Sequence, residues 1–552
     1  MFRQVLRIPN GKGKLILATC YLEIGRGRIT FKKSPMVCRD EIKVMKGSKW
    51  DNDNKTWSVK DCARNRFQLE FLAGGNPYKQ FERPVIRHNF GYLDSVLYEH
   101  QKLMADRCLT FRKQIIAGEM GTGKTLAAQA VMDFVGGRWI WVGPKPSKEN
   151  IENELSKFGF SGGLRFLTYE NLVKEFENPT IDFEQYAGII FDEASKLKNE
   201  NTRRSRAAAG VADYFYEKFV ILMTGTPAPK RPSDWWNLTE ICLAGFLREG
   251  SRKQLEQRLG FFEKLNIPGI TANQLIGWRD DTNKCNRCGE MKPGCGCRKF
   301  EPSINEVALM YHRLQGLVTI CNKADCLDLP AKIYRVVNLK PTADFRKVEK
   351  AILNTSPSTI VALTKLRELS DGFQYVDEIE TGERNTIEVE TPKDAALVNL
   401  LEECNEPGRI VIFAGFRASV DRITEICLSN NWNVWRCDGR GHFLLGDQAA
   451  NGLKSCLDFW ETSEAPLAFV AHPESGGMSL TLHAAPLCCF WSNSFKTEFR
   501  IQAEDRIHRA NMPNRAATIV DLVHLETDQR VLDVLRQNKD LQKMTLTELG
   551  GP

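Results

Sequence analysis

The segment from Gly118 to Thr125 has the residue types of a phosphate-binding loop and fits the pattern GxxxxGK[ST]. It follows a strand-like run and precedes a helix-like one, which is the context that this pattern requires. Glycines allow a tight turn whose backbone N–H groups point at phosphate oxygens. Lys124 would neutralise the β- and γ-phosphates, and Thr125 would hold Mg²⁺ through its hydroxyl. The predicted nucleotide-binding residues of this loop are Gly118, Glu119, Met120, Gly121, Thr122, Gly123, Lys124 and Thr125.

A second group of chemistry-bearing residues follows the apolar run Gly188-Ile-Ile-Phe, which is typical of a buried strand. Asp192 at the end of this run would bind Mg²⁺, and Glu193 would polarise a water molecule for attack on the γ-phosphate. An Asp-Glu pair after a strand is common and usually structural, but its separation from the phosphate loop favours a role in chemistry. The two motifs alone would fit many Mg²⁺-dependent nucleotide hydrolases, in which Lys124, Asp192 and Glu193 would be the catalytic residues.

Two series of short apolar runs alternate with helix-like segments, one from about residue 90 and the other from about residue 408. Buried parallel strands have this pattern. We therefore predict an α/β protein with two tandem parallel-sheet lobes, a helical insertion that carries a cysteine cluster, and a small strand-rich N-terminal domain. The predicted ranges are 1–83 for the N-terminal domain, 84–240 for the first lobe, 241–390 for the insertion and 391–552 for the second lobe.

The composition is that of a globular protein, with 42% hydrophobic and 26% charged residues in 552. This length suits three or four structural units. The net charge of +7 is a mild excess that does not by itself indicate a polyanionic partner. The sequence has no apolar stretch of about 18 residues, and its first residues lack the apolar core of a signal peptide. We expect an intracellular protein with no membrane partner, whose cysteines are mostly buried thiols.

Seven motifs occur in a fixed order: YEHQ, GEMGTGKT, DEAS, MTGTP, VIFAGF, ESGGMSLTLHAA and QAEDRIHR. The series resembles superfamily 2 helicases, and within them the Swi/Snf-like group. The closest resemblance is to HARP-type annealing helicases, in which QAEDRxHR and TGTPA followed by an Arg-Pro pair, here Arg231-Pro232, are characteristic. It covers roughly residues 90 to 530, with a gap at the insertion. The resemblance implies RecA-like lobes with ATP hydrolysed in the cleft between them.

The resemblance also implies roles for residues outside the phosphate loop. Gln101 would read the adenine edge, because an amide both donates and accepts hydrogen bonds. Thr224 and Thr226 would couple the γ-phosphate state to lobe closure. Gln502 would share one helix face with two arginines that reach the transferring phosphate, and such an arginine finger is worth about 10³–10⁵-fold in rate. The two arginines, which alone would more often form surface ion pairs, are Arg506 and Arg509.

A nucleic-acid track across both lobes is implied in the same way. In this superfamily most such contacts go to the phosphate backbone, which gives little sequence specificity and strong salt dependence. Each of these residues could equally have a structural role. The matching positions are Pro144, Lys145, Tyr169, Phe416, Arg417 and Thr481.

Several positions depart from the pattern of the group. Ser195 stands where many relatives have His, and Ser479 replaces an Asn that is usual in the fifth motif. Ala510-Asn511 replaces Ile-Gly-Gln after the His-Arg pair, and the double arginine common near the lobe junction is missing from VTICNKADCLDLP. These changes leave the ATP chemistry intact and concern the coupling between DNA and ATP.

Four thiols lie within one short glycine-rich loop, as CxxC followed by CxC. Thiolates at such spacing suit a tetrahedral Zn²⁺ site, and the alternative is a loop with free thiols. Lysines and arginines surround the cluster, so we expect a zinc-bound knob that contacts DNA. The predicted ligands are Cys285, Cys288, Cys295 and Cys297.

The N-terminal segment around Trp50 and Trp57 looks like a HARP domain, with a turn at 51–54. In that family the domain binds DNA, whereas the simpler alternative is a strand-rich domain that uses both tryptophans in its core. Nearby basic residues would suit a phosphate-binding surface. They are Lys32, Lys33, Lys43, Lys46 and Lys49.

The sequence therefore predicts an ATP- and Mg²⁺-dependent DNA translocase with structural Zn²⁺, acting on double-stranded, forked or branched DNA in annealing, repair, replication or displacement of bound protein. The alternatives are a strand-separating DNA or RNA helicase, a catalytically inactive nucleic-acid-binding scaffold, and a P-loop kinase without a polymer partner. The expected location is the cytoplasm or nucleoid of a bacterial or viral system, or the nucleus of a eukaryote.

Overall fold

The computed structural model describes residues 2–9, 15–25, 28–73, 79–225, 231–247, 249–267, 270–279, 306–327, 329–377, 384–404, 408–476, 480, 482–508 and 516–548. The chain divides into two compact units. The first unit comprises Met1–Asn322 with Gln542–Pro552, and the second unit comprises Lys323–Leu541.

The first unit begins with a five-stranded antiparallel sheet in the order β1-β2-β3-β5-β4. Its apolar side chains alternate along each strand, because successive residues of a strand point to opposite faces. The elements are β1 (Phe2–Pro9), β2 (Leu15–Gly25), β3 (Arg28–Lys33), α1 (Arg39–Val44), β4 (Lys49–Asp51), β5 (Thr56–Lys60) and α2 (Ala63–Leu72). The sheet face that carries Leu6, Cys20, Phe31 and Val59 forms a small core of its own.

The first unit also contains a six-stranded parallel sheet, in the order β13-β6-β10-β9-β7-β8. Its strands are β6 (Lys113–Gly118), β7 (Arg138–Gly143), β8 (Gly163–Thr168), β9 (Gly188–Phe191), β10 (Phe219–Thr224) and β13 (Val318–Cys321). The surrounding helices are α3 (Glu99–Phe111), α4 (Lys124–Val135), α5 (Lys148–Lys157), α6 (Tyr169–Glu177), α7 (Arg203–Ala212), α8 (Trp235–Cys242), α9 (Arg252–Leu259) and α10 (Glu306–Leu314). The central strands are buried on both faces, as continuous apolar runs predict.

The range 241–390, which was expected to be helical, also contributes strands. It contains the antiparallel hairpin of β11 (Gly260–Ile267) and β12 (Ile270–Trp278). It also supplies β13, which pairs with β6 and places residues 318–321 in the first sheet. A four-residue edge strand buries too few side chains to produce a clear sequence pattern, so the predicted boundary at residue 240 stops short of the end of this sheet.

Helix α2 links the small antiparallel sheet to the rest of the first unit. Arg64 on this helix pairs with Glu240 and also donates to the carbonyl oxygen of Glu249 at 2.8 Å. The ring of Phe67 packs 6.2 Å from that of Phe246. The N-terminal sheet is therefore fixed to the rest of the first unit through a largely buried charged pair and an aromatic contact.

The second unit is built on an eight-stranded sheet in the order β14-β23-β22-β17-β21-β18-β19-β20, parallel except for the last two pairings. Its strands are β14 (Lys332–Asn338), β17 (Arg409–Phe413), β18 (Asn433–Asp438), β19 (Gly441–Leu445), β20 (Ala450–Asn451), β21 (Leu467–Ala471), β22 (Leu487–Phe490) and β23 (Ala517–Val523), with a separate hairpin of β15 (Phe373–Asp377) and β16 (Arg384–Glu388). The helices are α11 (Lys323–Cys326), α12 (Ala343–Thr355), α13 (Thr359–Ser370), α14 (Pro392–Glu403), α15 (Arg417–Ser429), α16 (Leu453–Thr462), α17 (Pro473–Gly476), α18 (Thr497–Ile507) and α19 (Glu526–Glu548).

Both faces of the second sheet are covered by apolar side chains. Ile410 and Ile412 of β17 belong to one core cluster, and Val411 and Phe413 belong to the cluster on the other face. Such two-sided burial requires helices above and below a parallel sheet. The predicted α/β class with two parallel sheets is confirmed. None of the helices given above combines the length and the apolar character that a membrane span requires.

Candidate nucleotide site and nucleic-acid interface

The predicted catalytic residues of the first unit lie at one edge of its sheet. Strands β6, β10, β9 and β7 are neighbours and parallel, so their carboxyl ends lie side by side. Gly118 ends β6, Thr224 ends β10, and Asp192 directly follows β9. Ligands of open parallel sheets bind at this carboxyl edge. The fold therefore brings the phosphate loop and the Asp-Glu pair together.

The phosphate loop turns sharply between β6 and α4. Gly121 and Gly123 have φ of +84° and +77°, which side chains other than glycine rarely adopt. Helix α4 begins at Lys124 after the N-cap Gly123, which lacks a side chain that could cap the amides of the first turn. Those N–H groups and the positive end of the helix dipole form an anion-binding site. The loop also crosses close to its neighbours, because a Cβ atom on Gly118 would lie 2.9 Å from the Thr122 hydroxyl.

Lys124 and Asp192 supply opposite charges at this edge. The Lys124 ammonium donates to the carbonyl oxygens of Gly118 and Glu119, at 2.8 and 3.0 Å. Burial, together with the neighbouring Glu193 carboxylate, raises the pKa of Asp192 to about 7, and the Lys124 charge opposes that rise. A desolvated carboxylate is stabilised by a cation. The oxygen donors of Asp192 and Thr125 are the kind that Mg²⁺ prefers, so the residues present fit the ion.

The backbone at the Asp-Glu pair is strained. Glu193 has φ of +52°, in the left-handed region, and its N–H donates to Asp192 Oδ1 at 2.9 Å. A left-handed residue other than glycine costs on the order of 1 kcal/mol and is often found at functional sites. Ser195, which replaces a histidine of the group, donates to Glu193 Oε1 at 3.5 Å, the long end of the hydrogen-bond range. The serine therefore contacts the glutamate that is predicted to be catalytic.

Gln101 is placed against the phosphate loop. Its amide nitrogen donates to the carbonyl oxygen of Thr122 at 3.3 Å, and its amide oxygen accepts from the Tyr98 N–H at 3.0 Å. A Cβ atom on Gly123 would lie 1.9 Å from the amide nitrogen of Gln101. The role of Gln101 toward adenine stays a prediction. The Gln101 side-chain amide connects α3 to the phosphate loop.

The end of β10 also faces the phosphate loop. Thr224 is buried, and a Cβ atom on the next residue, Gly225, would lie 2.7 Å from Met120 Cγ and 4.0 Å from Lys124 Nζ. This proximity suits a residue that responds to the γ-phosphate. Thr226 lies outside the described residues, and the coupling role of both threonines stays a prediction.

The predicted nucleic-acid residues of the first unit differ in exposure. Lys145 is exposed in a short helical turn after β7, whereas Pro144 before it is buried. Tyr169 is buried, and its hydroxyl donates to the backbone carbonyl of Asp192 at 2.6 Å. The Tyr169 hydroxyl therefore holds the backbone of the Asp-Glu loop, a contact that sequence spacing does not show.

Helix α18 carries the predicted catalytic residues of the second unit. Gln502 and Arg506 are both buried, and Arg506 donates to the carbonyl oxygen of Leu480 at 3.1 Å. An ion network surrounds this helix: Lys323 contacts Asp505 at 2.8 Å, and Lys332 contacts it at 3.1 Å. The helix is thus held rigidly up to its last turn, and Arg509 beyond it lies outside the described residues.

Phe416 and Arg417 lie at the carboxyl end of β17, where α15 begins. Arg417 is exposed, and the Phe416 ring packs 5.4 Å from that of Phe373. Arg367, which the motif series does not include, places its guanidinium 5.1 Å from the centre of the Phe416 ring and donates to the carbonyl oxygen of Asn493 at 2.8 Å. Thr481 lies outside the described residues, as do all four cysteines of the predicted zinc cluster.

Known proteins with similar sequences agree with the resemblance that the order of the motifs predicts. No family model matches the chain. It is 24% identical over 455 residues to the SWI/SNF-related matrix-associated actin-dependent regulator of chromatin subfamily A-like protein 1 homolog of Caenorhabditis elegans, covering 77% of this chain and 59% of that protein. The Xenopus tropicalis protein of the corresponding name is 24% identical over 85% of this chain and 49% of its own length.

The chain is thus similar to proteins named as SWI/SNF-related, the group that its motif series resembles. The predicted resemblance is confirmed. A Mycoplasma pneumoniae protein named as an uncharacterized ATP-dependent helicase is 20% identical over 79% of this chain and 40% of its own. The chain thus spans about half the length of these Swi/Snf-like and helicase relatives. A solved structure, a Sulfolobus solfataricus SWI2/SNF2 ATPase core in complex with dsDNA, matches 84% of this chain and 94% of its own at 18% identity, with a TM-score of 0.33.

Proposed function

We propose that this protein is an ATP-driven DNA translocase. The observation that carries the proposal is the assembly at one sheet edge of the phosphate loop, the partly buried Asp192 and the strained Glu193. Mg²⁺ bound by Thr125 and Asp192 would neutralise phosphate charge. Lys124 orients the β- and γ-phosphates, and Glu193 takes a proton from the attacking water.

The resemblance to the Swi/Snf-like group implies the remaining catalytic groups of this chain. By its resemblance to the Swi/Snf-like group, Gln502 with Arg506 and Arg509 stabilises the charge of the transferring phosphate. The exposed Lys145 and Arg417 contact the phosphate backbone of DNA. ATP hydrolysis and product release then change the contacts between the protein and DNA, and these changes move the protein along the DNA. This movement along DNA would anneal strands, remodel forked or branched DNA, or displace bound protein.

One experiment separates this function from its alternatives. ATP hydrolysis is measured with duplex DNA, forked DNA, single-stranded DNA and RNA at two salt concentrations. We expect duplex and forked DNA to stimulate most, with the stimulation weakened by salt because counterions compete for backbone contacts. Preference for RNA or single strands would indicate a strand-separating helicase, and equal slow rates with every polymer would indicate a scaffold.

The N-terminal sheet offers a second DNA contact. A cavity of about 610 Å³, the Trp50 groove, opens on this sheet. Its lining is Ser34, Pro35, Met36, Arg39, Lys43, Trp50, Lys55 and Trp57. Trp50 is 46% exposed, whereas Trp57 packs against the core. The tight turn after Asp51 holds Lys55 at φ of +50°, and Lys55 lines the same groove as Trp50. Aromatic rings with cations suit a base and its phosphate.

Replacing Trp50 by alanine should weaken DNA binding without changing ATP hydrolysis in the absence of DNA. Loss of stacking on one base costs about 1–3 kcal/mol, so Kd for forked or single-stranded DNA should rise roughly fivefold or more. The measurement is fluorescence anisotropy at fixed salt. Tyr21→Ala, which removes another exposed ring of the same sheet, is the matched control. Equal affinities for the three proteins would exclude the groove as a DNA site.

We further propose that Cys285, Cys288, Cys295 and Cys297 bind one structural Zn²⁺. The support is their spacing and the basic residues around them. Purified protein should contain near one equivalent of zinc by elemental analysis, and a variant with Cys285 and Cys288 changed to serine should contain none. A chelator should lower the DNA affinity of the wild-type protein only. If the wild-type protein contains no zinc and still binds DNA with full affinity, these cysteines neither bind zinc nor form a zinc-dependent DNA contact.

A further inference from the structure

A lysine and an aspartate are fully buried together in the second unit. Lys393, in the first turn of α14, and Asp371, at the end of α13, both have 0% exposure. The ammonium lies 3.1 Å from Asp371 Oδ1, 3.5 Å from Asp528 Oδ2, and 2.8 Å from the carbonyl oxygen of Trp491. All of its hydrogens therefore have acceptors. Burial raises the pKa of Asp371, and the two carboxylates raise that of Lys393 against its own burial.

The second oxygen of Asp371 is directed toward a loop with a predicted function. Asp371 Oδ2 accepts hydrogen bonds from the hydroxyls of Ser419 and Ser492, both at 2.7 Å. The Ser492 hydroxyl in turn accepts from the backbone N–H of Gly415 at 2.9 Å. Gly415 immediately precedes Phe416 and Arg417, the predicted nucleic-acid residues. A continuous chain of hydrogen bonds thus runs from Lys393 through Asp371 and Ser492 to this loop.

Arg367 makes a parallel connection from the same helix, one turn before Asp371. Its guanidinium donates to the carbonyl oxygen of Asn493, the residue after Ser492, at 2.8 Å. The same group stacks on the Phe416 ring, and a Cβ atom on Gly415 would lie 3.3 Å from its Nη2 atom. The ends of β17 and β22 are therefore fixed to the last turn of α13 by two independent polar links.

Stability alone does not explain this arrangement. A buried ion pair gains little net folding free energy, because desolvation offsets the Coulombic attraction, and apolar replacements are often as stable. What a fully satisfied buried network does provide is a fixed geometry for the groups that it touches. Here those groups are the backbone N–H of Gly415 and the first turn of α15, on which Arg417 lies.

We propose that Lys393, Asp371 and Ser492 are positioning residues, which hold the loop from Gly415 to Arg417 in the geometry that binds the DNA backbone. This inference rests on the proposed function. It names residues that hold the loop with the proposed DNA contact in place. None of the three touches DNA. They act by fixing the direction of the Gly415 amide and thereby the start of α15.

Two serines of the network give a matched pair for the test. Ser492→Ala removes the link from Asp371 to Gly415. Ser370→Ala removes a part-buried hydrogen bond of the same network, from the Ser370 hydroxyl to Asp528 Oδ2 at 2.5 Å, which does not include the loop. Both variants should lose similar thermal stability. The DNA concentration for half-maximal stimulation of ATP hydrolysis should rise roughly five- to tenfold for Ser492→Ala only.

A second measurement reports on the loop without DNA. Hydrogen exchange at the Gly415 amide should become faster in Ser492→Ala and stay unchanged in Ser370→Ala. If both variants match the wild type in exchange and in DNA dependence, or both change alike, the positioning role is overturned. If the wild-type protein is not stimulated by any DNA, the proposed function fails, and the exchange experiment still decides whether the network holds the loop.

Discussion

Replacing Lys124 by alanine is expected to reduce ATP hydrolysis by roughly 10²–10³-fold or more. The ammonium lies within the phosphate loop, bound to the carbonyl oxygens of Gly118 and Glu119. It also opposes the rise in the pKa of Asp192 that burial produces. The variant therefore loses the cation that meets the phosphates and leaves Asp192 less able to stay ionised.

The measurement is the steady-state rate of phosphate release with saturating duplex DNA, together with the Kd for DNA. Lys148→Ala, which removes an exposed lysine of the same unit, is the control and should keep the wild-type rate. DNA binding by Lys124→Ala should persist in the absence of ATP. Equal rates for Lys124→Ala and the wild type would show that the site does not hydrolyse ATP.

Replacing Arg506 by lysine should lower kcat by about 10³–10⁵-fold, the range for loss of an arginine finger, with a much smaller change in the KM for ATP. Lysine keeps the charge but loses the planar fork that matches phosphate oxygens. The side chain is buried on α18 and donates to the Leu480 carbonyl, so its direction is fixed before any ligand arrives.

A buried arginine of the same helix separates chemistry from folding. Arg500 is bound by Glu504 at 2.7 Å and also pairs with Asp521, so Arg500→Lys disturbs a buried ion network of α18. We expect Arg500→Lys to lower the melting temperature at least as much as Arg506→Lys does, with a far smaller loss in kcat. Parallel losses of stability and rate in both variants would assign Arg506 a structural role only.

The nucleotide site could be predicted from sequence because its signals are local. Gly121 and Gly123 are required by backbone dihedrals within one turn, and Asp192 follows an apolar run whose burial is evident from its composition. The parallel sheet then places the strand ends together without further information. The same reasoning applies to α18, since residues three or four apart share one helix face.

Contacts between distant segments could not be predicted in this way. Tyr169 was expected at the nucleic-acid interface, yet its hydroxyl bonds the Asp192 carbonyl, and nothing in the spacing of the two residues indicates that contact. Arg367 reaches Phe416 and Asn493 across more than forty residues of sequence. The β13 strand was missed for a related reason, because its pairing with β6 depends on the path of the chain and not on a pattern within its four residues.

The central claim is that ATP hydrolysis at the first-unit site moves the protein along DNA, and displacement of a third strand from a DNA triplex tests it most directly. The wild-type protein should release the third strand in the presence of ATP and Mg²⁺. It should release none with a non-hydrolysable ATP analogue, and Lys124→Ala should release none with ATP. ATP hydrolysis that DNA stimulates but that leaves the triplex intact, or equal release with the analogue, would contradict the proposed motor.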